Sequence, residues 1–263
     1  MGTLYIHELK RLMRTILLWS IIVGAFGILC IVMFKSMESE ITGIADSFSS
    51  MGAFSDAFGL STLSMATITG YFATEVGTIH GLGIGLFAAT LATTILSKEE
   101  DLHTGEFLFS FPVSRTQIVT SKIFAVVSGL LIFTIICAAL YEVGFLISGD
   151  SIDMELLIKF YGMQLVLGIE IASICFIISS ISRTNKLGMG MGVGLCFYFF
   201  DLMARVVPDF KDYIGFGPYS YANASEIFAN GEVEIKYISI GIVFIILSVV
   251  STYVIYNRKD LAS

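Results

Sequence analysis

Six apolar runs alternate with polar segments along the 263 residues, and each is long enough to form a membrane-crossing helix. Residues 15–34 carry no charge and make about 30 Å of helix, one full crossing. Further spans are predicted at 71–96, 123–147, 160–182, 187–207 and 237–256. Ahead of the first, Tyr5, Leu9, Leu12, Met13 and Ile16 recur at helical spacing, with His7, Lys10, Arg11 and Arg14 on the other side. That pattern predicts a helix over residues 1–14 lying in the membrane interface. Residues 35–40 offer no small-residue cleavage site, so the first run is read as a span and not a signal peptide.

The polar segment with the most to say is 97–122, SKEEDLHTGEFLFSFPVSRTQIVTSK, between the second and third spans. It opens on Lys98, Glu99, Glu100 and Asp101, then places Phe107, Leu108, Phe109 and Phe111 in a connection. Pro112 withholds a backbone donor and pushes Phe111 towards extended geometry, so a short helix should stop there. Ser114 and Gln117 have capping-box spacing, which restarts a helix at once. The large apolar side chains either tuck under the chain's own bundle or dock into a groove on a soluble partner.

Composition agrees with the pattern: with 56% apolar and 14% charged residues, an all-α integral membrane protein is expected, not a soluble domain. The net charge of −7 matters less than its sidedness. Ten Lys and Arg fall in the N-terminal stretch, the 97–122 loop, the 183–186 link and the 257–259 end; Lys35, Lys159, Lys211 and Lys236 fall in the other connections. The positive-inside rule then puts both termini and the 97–122 loop in the cytoplasm, with the 208–236 segment outside. Cys30, Cys137, Cys175 and Cys196 all sit in apolar runs without C-x-x-C spacing, so neither a disulfide framework nor a metal site is indicated. Gly77, Gly81 and Gly85 form a small-xxx-small stripe on the second span, and Gly188, Gly190, Gly192 and Gly194 form two interleaved pairs on the fifth. Both favour close approach of another helix.

Ionisable residues in hydrocarbon are costly, and Glu75, His80, Glu142, Glu170, Asp201 and Arg205 lie in or near the ends of spans. Counting residues along each helix places Glu170 near mid-depth, Asp201 and Arg205 in the outer third, and Glu75 and Glu142 near the outer surface. Asp201 and Arg205 are four apart and can neutralise each other, while the outermost acids can reach water and headgroups. Glu170 has no adjacent base, so it must be protonated, paired across helices with a group such as His80, or face a wet cavity. Glu170, His80 and Asp201 are the candidate residues of a translocation path. No GxxxxGK[ST] phosphate loop and no HExxH motif occur, so the chain is not expected to hydrolyse ATP or peptides by itself.

The acidic start of the 97–122 loop, Thr104-Gly105-Glu106, the Phe/Leu stretch, PVSR at Pro112 to Arg115, and Ser121-Lys122 resemble the first cytoplasmic loop of ATP-binding-cassette permeases of the type-2 exporter family. Gly217-Pro218-Tyr219-Ser220-Tyr221 is similar to the P-[FY]-x-Y element before the last span of these permeases, with Gly217 where Ser is frequent. The resemblance implies an N-terminal elbow helix, a cytoplasmic coupling helix between spans two and three, and short re-entrant helices before span six. It implies that Glu99, Glu100, Glu106, Phe107, Leu108, Phe109, Phe111, Pro112 and Arg115 couple to an ATPase subunit. Two such subunits, carrying ATP and Mg, would serve two permease chains in a homodimer or related heterodimer; no cofactor is expected on this chain and no nucleic acid as partner. The implied setting is a bacterial-type plasma membrane, and the implied cargo an amphipathic or hydrophobic peptide, drug or lipid moved outward. Two other classes stay open: an ion-coupled secondary transporter using Glu170, His80 and Asp201, and a non-transporting membrane anchor or immunity subunit.

Overall fold

The computed structural model describes residues 2–60, 62–105 and 112–260, and every regular element among them is helical. In chain order these are α1 (Gly2–Ser49), α2 (Ala53–Phe58), α3 (Ile68–Ile95), α4 (Lys98–Asp101), α5 (Arg115–Ser148), α6 (Met154–Ile181) and α7 (Leu187–Val206). A 3-10 run over Pro208–Phe216 follows, then α8 (Ala224–Asn230) and α9 (Ile235–Arg258). Among the described residues six helices, α1, α3, α5, α6, α7 and α9, are long and apolar enough to cross a membrane. Each contains or closely overlaps one predicted span.

The first helix differs most from expectation. Residues 3–23 contain neither Gly nor Pro, so nothing stops a helix there, and α1 runs unbroken from Gly2 through the first span to Ser49. The interfacial helix predicted for residues 1–14 is therefore not a separate element. Its contacts still set it apart. Ile16 lies against Gly129 and Ile31 against Gly144, so α1 and α5 run parallel and in step. Tyr5 breaks that step: its hydroxyl is 2.9 Å from Ser128 Oγ, in the same turn of α5 that Ile16 meets. Eleven residues of helix, about 16 Å, separate Tyr5 from Ile16. The first turns of α1 thus cross α5 before the helix turns to run beside it.

α3 is the hub, and with α6 it is the most enclosed span, whereas α7 and α9 are the most exposed. Its core is aromatic. Phe72 meets the rings of Tyr141, Phe145, Phe160 and Phe228 at centroid distances of 5.5 to 5.8 Å, joining α3 to α5, α6 and α8. One turn of α3, Phe72–Val76, is π-helical: the Gly77 N–H bonds to the Phe72 carbonyl five residues back. The exposed sides of α7 and α9 carry Phe199 and Met203, and Ile242, Ile246 and Val250, which suit a lipid surface.

Local signals in the sequence behave as their chemistry requires. Ser114 Oγ accepts from the Gln117 N–H at 3.2 Å and Gln117 Oε1 accepts from the Ser114 N–H at 3.1 Å, the reciprocal capping box that starts α5. α5 stops at Gly149 in the left-handed region with φ 76°, and Asp153 caps α6 by accepting from the Glu155 N–H. The glycine stripe of the second span, expected to admit another helix, is filled chiefly by the 217–224 segment instead. A Cβ at Gly85 would lie 2.3 Å from the Tyr219 hydroxyl, and one at Gly77 2.3 Å from Ala224 Cβ. On α7, Gly190 presses on Thr93 of α3, while Gly188 and Gly192 face open space.

Candidate functional site

The end of the bundle where α4 lies is held together by buried charges. Lys122, on the second turn of α5, is completely buried. Its Nζ donates to both carboxylate oxygens of Glu99, at 2.7 and 2.8 Å, and to the Ile95 carbonyl that ends α3. Glu8 of α1 pairs with Lys98 and approaches Lys122 at 3.5 Å. Glu100 accepts from Lys259 Nζ at 2.5 Å, and Lys259 donates also to the Ser182 carbonyl at the end of α6. Three carboxylates thus face three ammonium groups, a neutral set that offsets much of the cost of removing each charge from water. Burial first, and then the like charge of Lys122, bring Lys98 down to about 8, while Glu8 and Glu99 pull the other way.

Arg115 adds a second tie. Its Nη1 donates to the carbonyls of Tyr256, Asn257 and Lys259, at 3.3, 3.1 and 2.5 Å, which places a cation at the C-terminal end of α9. The Ser179 hydroxyl of α6 accepts from the Leu96 and Ser97 N–H groups, and Asp101 accepts from the Asn185 N–H. The short segment after α3 is consequently fastened to α1, α5, α6 and α9 and to the link before α7.

Of the residues assigned to coupling from the sequence, Glu99 and Glu100 are buried and engaged inside the chain, Pro112 is exposed, and Arg115 holds the end of α9. Glu106, Phe107, Leu108, Phe109 and Phe111 lie outside the described residues.

The three candidate path residues sit in three separate settings. Glu170 is buried on α6 and accepts from the Tyr221 hydroxyl at 2.6 Å; its Oε2 occupies the space a side chain on Gly241 of α9 would need, 2.6 Å from a Cβ built there. Burial, and next the adjacent Glu170, push the Tyr221 phenol above its ordinary range, so it stays a donor. His80 does not partner Glu170. Its Nδ1 is 3.0 Å from the Tyr141 hydroxyl, its Nε2 has no partner among the described residues, and Phe133, Phe160 and Tyr161 surround the ring. Asp201 pairs with Arg205 as its spacing predicts, through Nε at 2.9 Å and Nη2 at 3.1 Å, and Arg205 reaches on to Glu226 of α8.

The sequence reading missed Glu8, used Lys259 only for sidedness, placed Lys122 only in the sidedness count and the loop resemblance, and gave Tyr221 only a place in the element before the last span. A signal for Glu8 existed: it is the sole acid in residues 1–37 and stands among basic residues. For Tyr221 the element it stands in implies a re-entrant segment, but no local pattern names Glu170 as its partner.

The fold, six long apolar helices with an ion-paired cap at one end and an inserted polar segment at the other, can now be set beside known proteins. A search of curated proteins returns no match. A family model described as ABC-2 family transporter protein matches residues 3–261, nearly the whole chain. The chain belongs to the ABC-2 transporter family, whose members are transmembrane permease subunits.

Proposed function

We propose that this chain is the membrane permease of an ATP-driven exporter, powered by separate ATPase subunits that bind ATP and Mg, and that it moves an amphipathic or hydrophobic cargo outward. Two permease chains work with two ATPase subunits in a bacterial-type plasma membrane, with both termini in the cytoplasm. The observation that carries this reading is the fastening of the segment after α3: through Lys122 and Glu99, Lys98 and Glu8, and Lys259 and Glu100, it is joined to α5, α1 and α9. A push delivered there is transmitted to three spans at once, because each tie is a short, enclosed contact and not a flexible surface pair. Within this reading Glu99, Glu100 and Arg115 transmit force, and Glu106, Phe107, Leu108, Phe109, Phe111 and Pro112 meet the ATPase.

The test is co-purification with the cognate ATPase. Phe107→Asp or Phe109→Asp should abolish capture of the ATPase while leaving the permease inserted and folded. Retention of the ATPase by both variants overturns the reading.

A further inference from the structure

The π-helical turn of α3 carries a carboxylate that none of the preceding roles uses. Glu75 lies within Phe72–Val76, at the end of the bundle away from the Lys122 cluster, and among the described residues it makes no hydrogen bond or ion pair. It lines a cavity of about 300 Å³ whose walls include Leu60, Met65 and Ile79. Two hydroxyl-bearing residues, Thr74 and Thr78, line the same space. A π turn adds a residue to the helical turn and recurs at functional sites. Beyond it, α3 resumes regular geometry at Gly77.

We infer that this cavity binds a hydrophobic ammonium compound, with Glu75 as counter-charge and Leu60, Met65 and Ile79 around its apolar portion. An unpaired acid beside apolar walls is disfavoured in low dielectric, and a cation brought by the ligand relieves that cost. A neutral or anionic ligand of the same size supplies no such relief. The ammonium group can belong to a free amine or to a lipid headgroup such as ethanolamine. Binding stands independently of transport; its role as the cargo-loading site of an exporter rests on the function proposed above.

The experiment uses the full-length protein in phosphatidylglycerol nanodiscs without ATPase, so its outcome is separable from that of the co-purification assay. Dicyclohexylcarbodiimide, which modifies carboxyl groups in apolar surroundings, is added at fixed pH, and labelling of the Glu75 peptide is followed by mass spectrometry. Dodecylammonium should slow labelling of Glu75 by about tenfold or more, and dodecanol at equal membrane concentration should not. Adding phosphatidylethanolamine to the nanodisc distinguishes the sources: protection by it assigns the site to a lipid headgroup, and its absence to a free amine. Dodecylammonium binding measured directly should weaken by a similar factor in Glu75→Gln. Equal protection by dodecanol, no labelling of Glu75, or unchanged binding in a folded Glu75→Gln variant overturns the assignment.

Discussion

Lys122 and Glu99 face one another inside the protein with Nζ 2.7 and 2.8 Å from the two carboxylate oxygens, and the lysine is wholly screened from solvent. A connection between two spans is thereby turned into part of the core. Long side chains do this where a loop cannot: the lysine stem packs among apolar groups while its head closes the C-terminal end of α3 and meets an acid.

Removing one member of such a pair leaves its partner's charge buried. Lys122→Met should destabilise the protein by about 3–5 kcal/mol, and Lys122→Met with Glu99→Gln should recover part of that loss. Denaturation in detergent, monitored by tryptophan fluorescence, checks both; a Lys122→Met protein as stable as the parent refutes the structural role.

Glu170, Tyr221 and Gly241 are expected to behave as a coupled group. Gly241→Ala puts a methyl 2.6 Å from Glu170 Oε2 and 3.0 Å from the Tyr221 ring, which should cost about 1–3 kcal/mol through forced displacement. Tyr221→Phe should cost about 1–3 kcal/mol by leaving a buried acceptor unsatisfied. Combining them should cost less than the sum, because loss of the phenol releases the crowded carboxyl. A double-variant cycle of melting free energies reads the coupling, and strict additivity contradicts it.

The Lys98 environment gives a pH dependence whose sign follows from the shift. Its folded value is about 8 against an ordinary 10.5, so between these values the unfolded chain binds more protons than the folded one. Stability contributed by this residue therefore rises as pH increases through that window and is lowest below it. Comparing thermal midpoints of the parent and Lys98→Met at pH 7 and pH 10 isolates the term: the parent should gain relative to the variant at the higher pH. A relative loss would mean that the pairing with Glu8 outweighs burial.

Orientation can be read chemically. With Cys196 replaced by Ser, Lys211→Cys should react with a membrane-impermeant thiol reagent on intact cells, and Lys186→Cys only after the membrane is opened. Both positions are exposed in the structure. The reverse pattern would invert the orientation that the basic residues imply.

How far the sequence disclosed this arrangement depended on the range of the interaction concerned. The spans, the Ser114 and Gln117 cap, and the Asp201 and Arg205 pair are set by neighbours within one or two turns, so periodicity and spacing revealed them. Glu8 and Lys122 are 114 positions apart, and Tyr221 and Glu170 are 51 apart. Their meeting depends on how the helices pack, which a linear pattern does not encode. The glycine stripe shows the intermediate case: its small surface was legible, and the resemblance of residues 217–221 to a family element implied re-entrant helices there, but nothing linked Tyr219 to that stripe. At α1 the missing information was geometric, since an apolar pattern describes a helix equally well whether it runs straight or turns.

The grip of Arg115 on the final carbonyls of α9 has a practical outcome for anyone handling the protein. A bulky reporter fused straight behind residue 260 would tug on the side chain that begins α5 and, through that helix, on Lys122. Reporters placed there need a slack linker, or the assay will record the strain of the attachment in place of the behaviour of the protein.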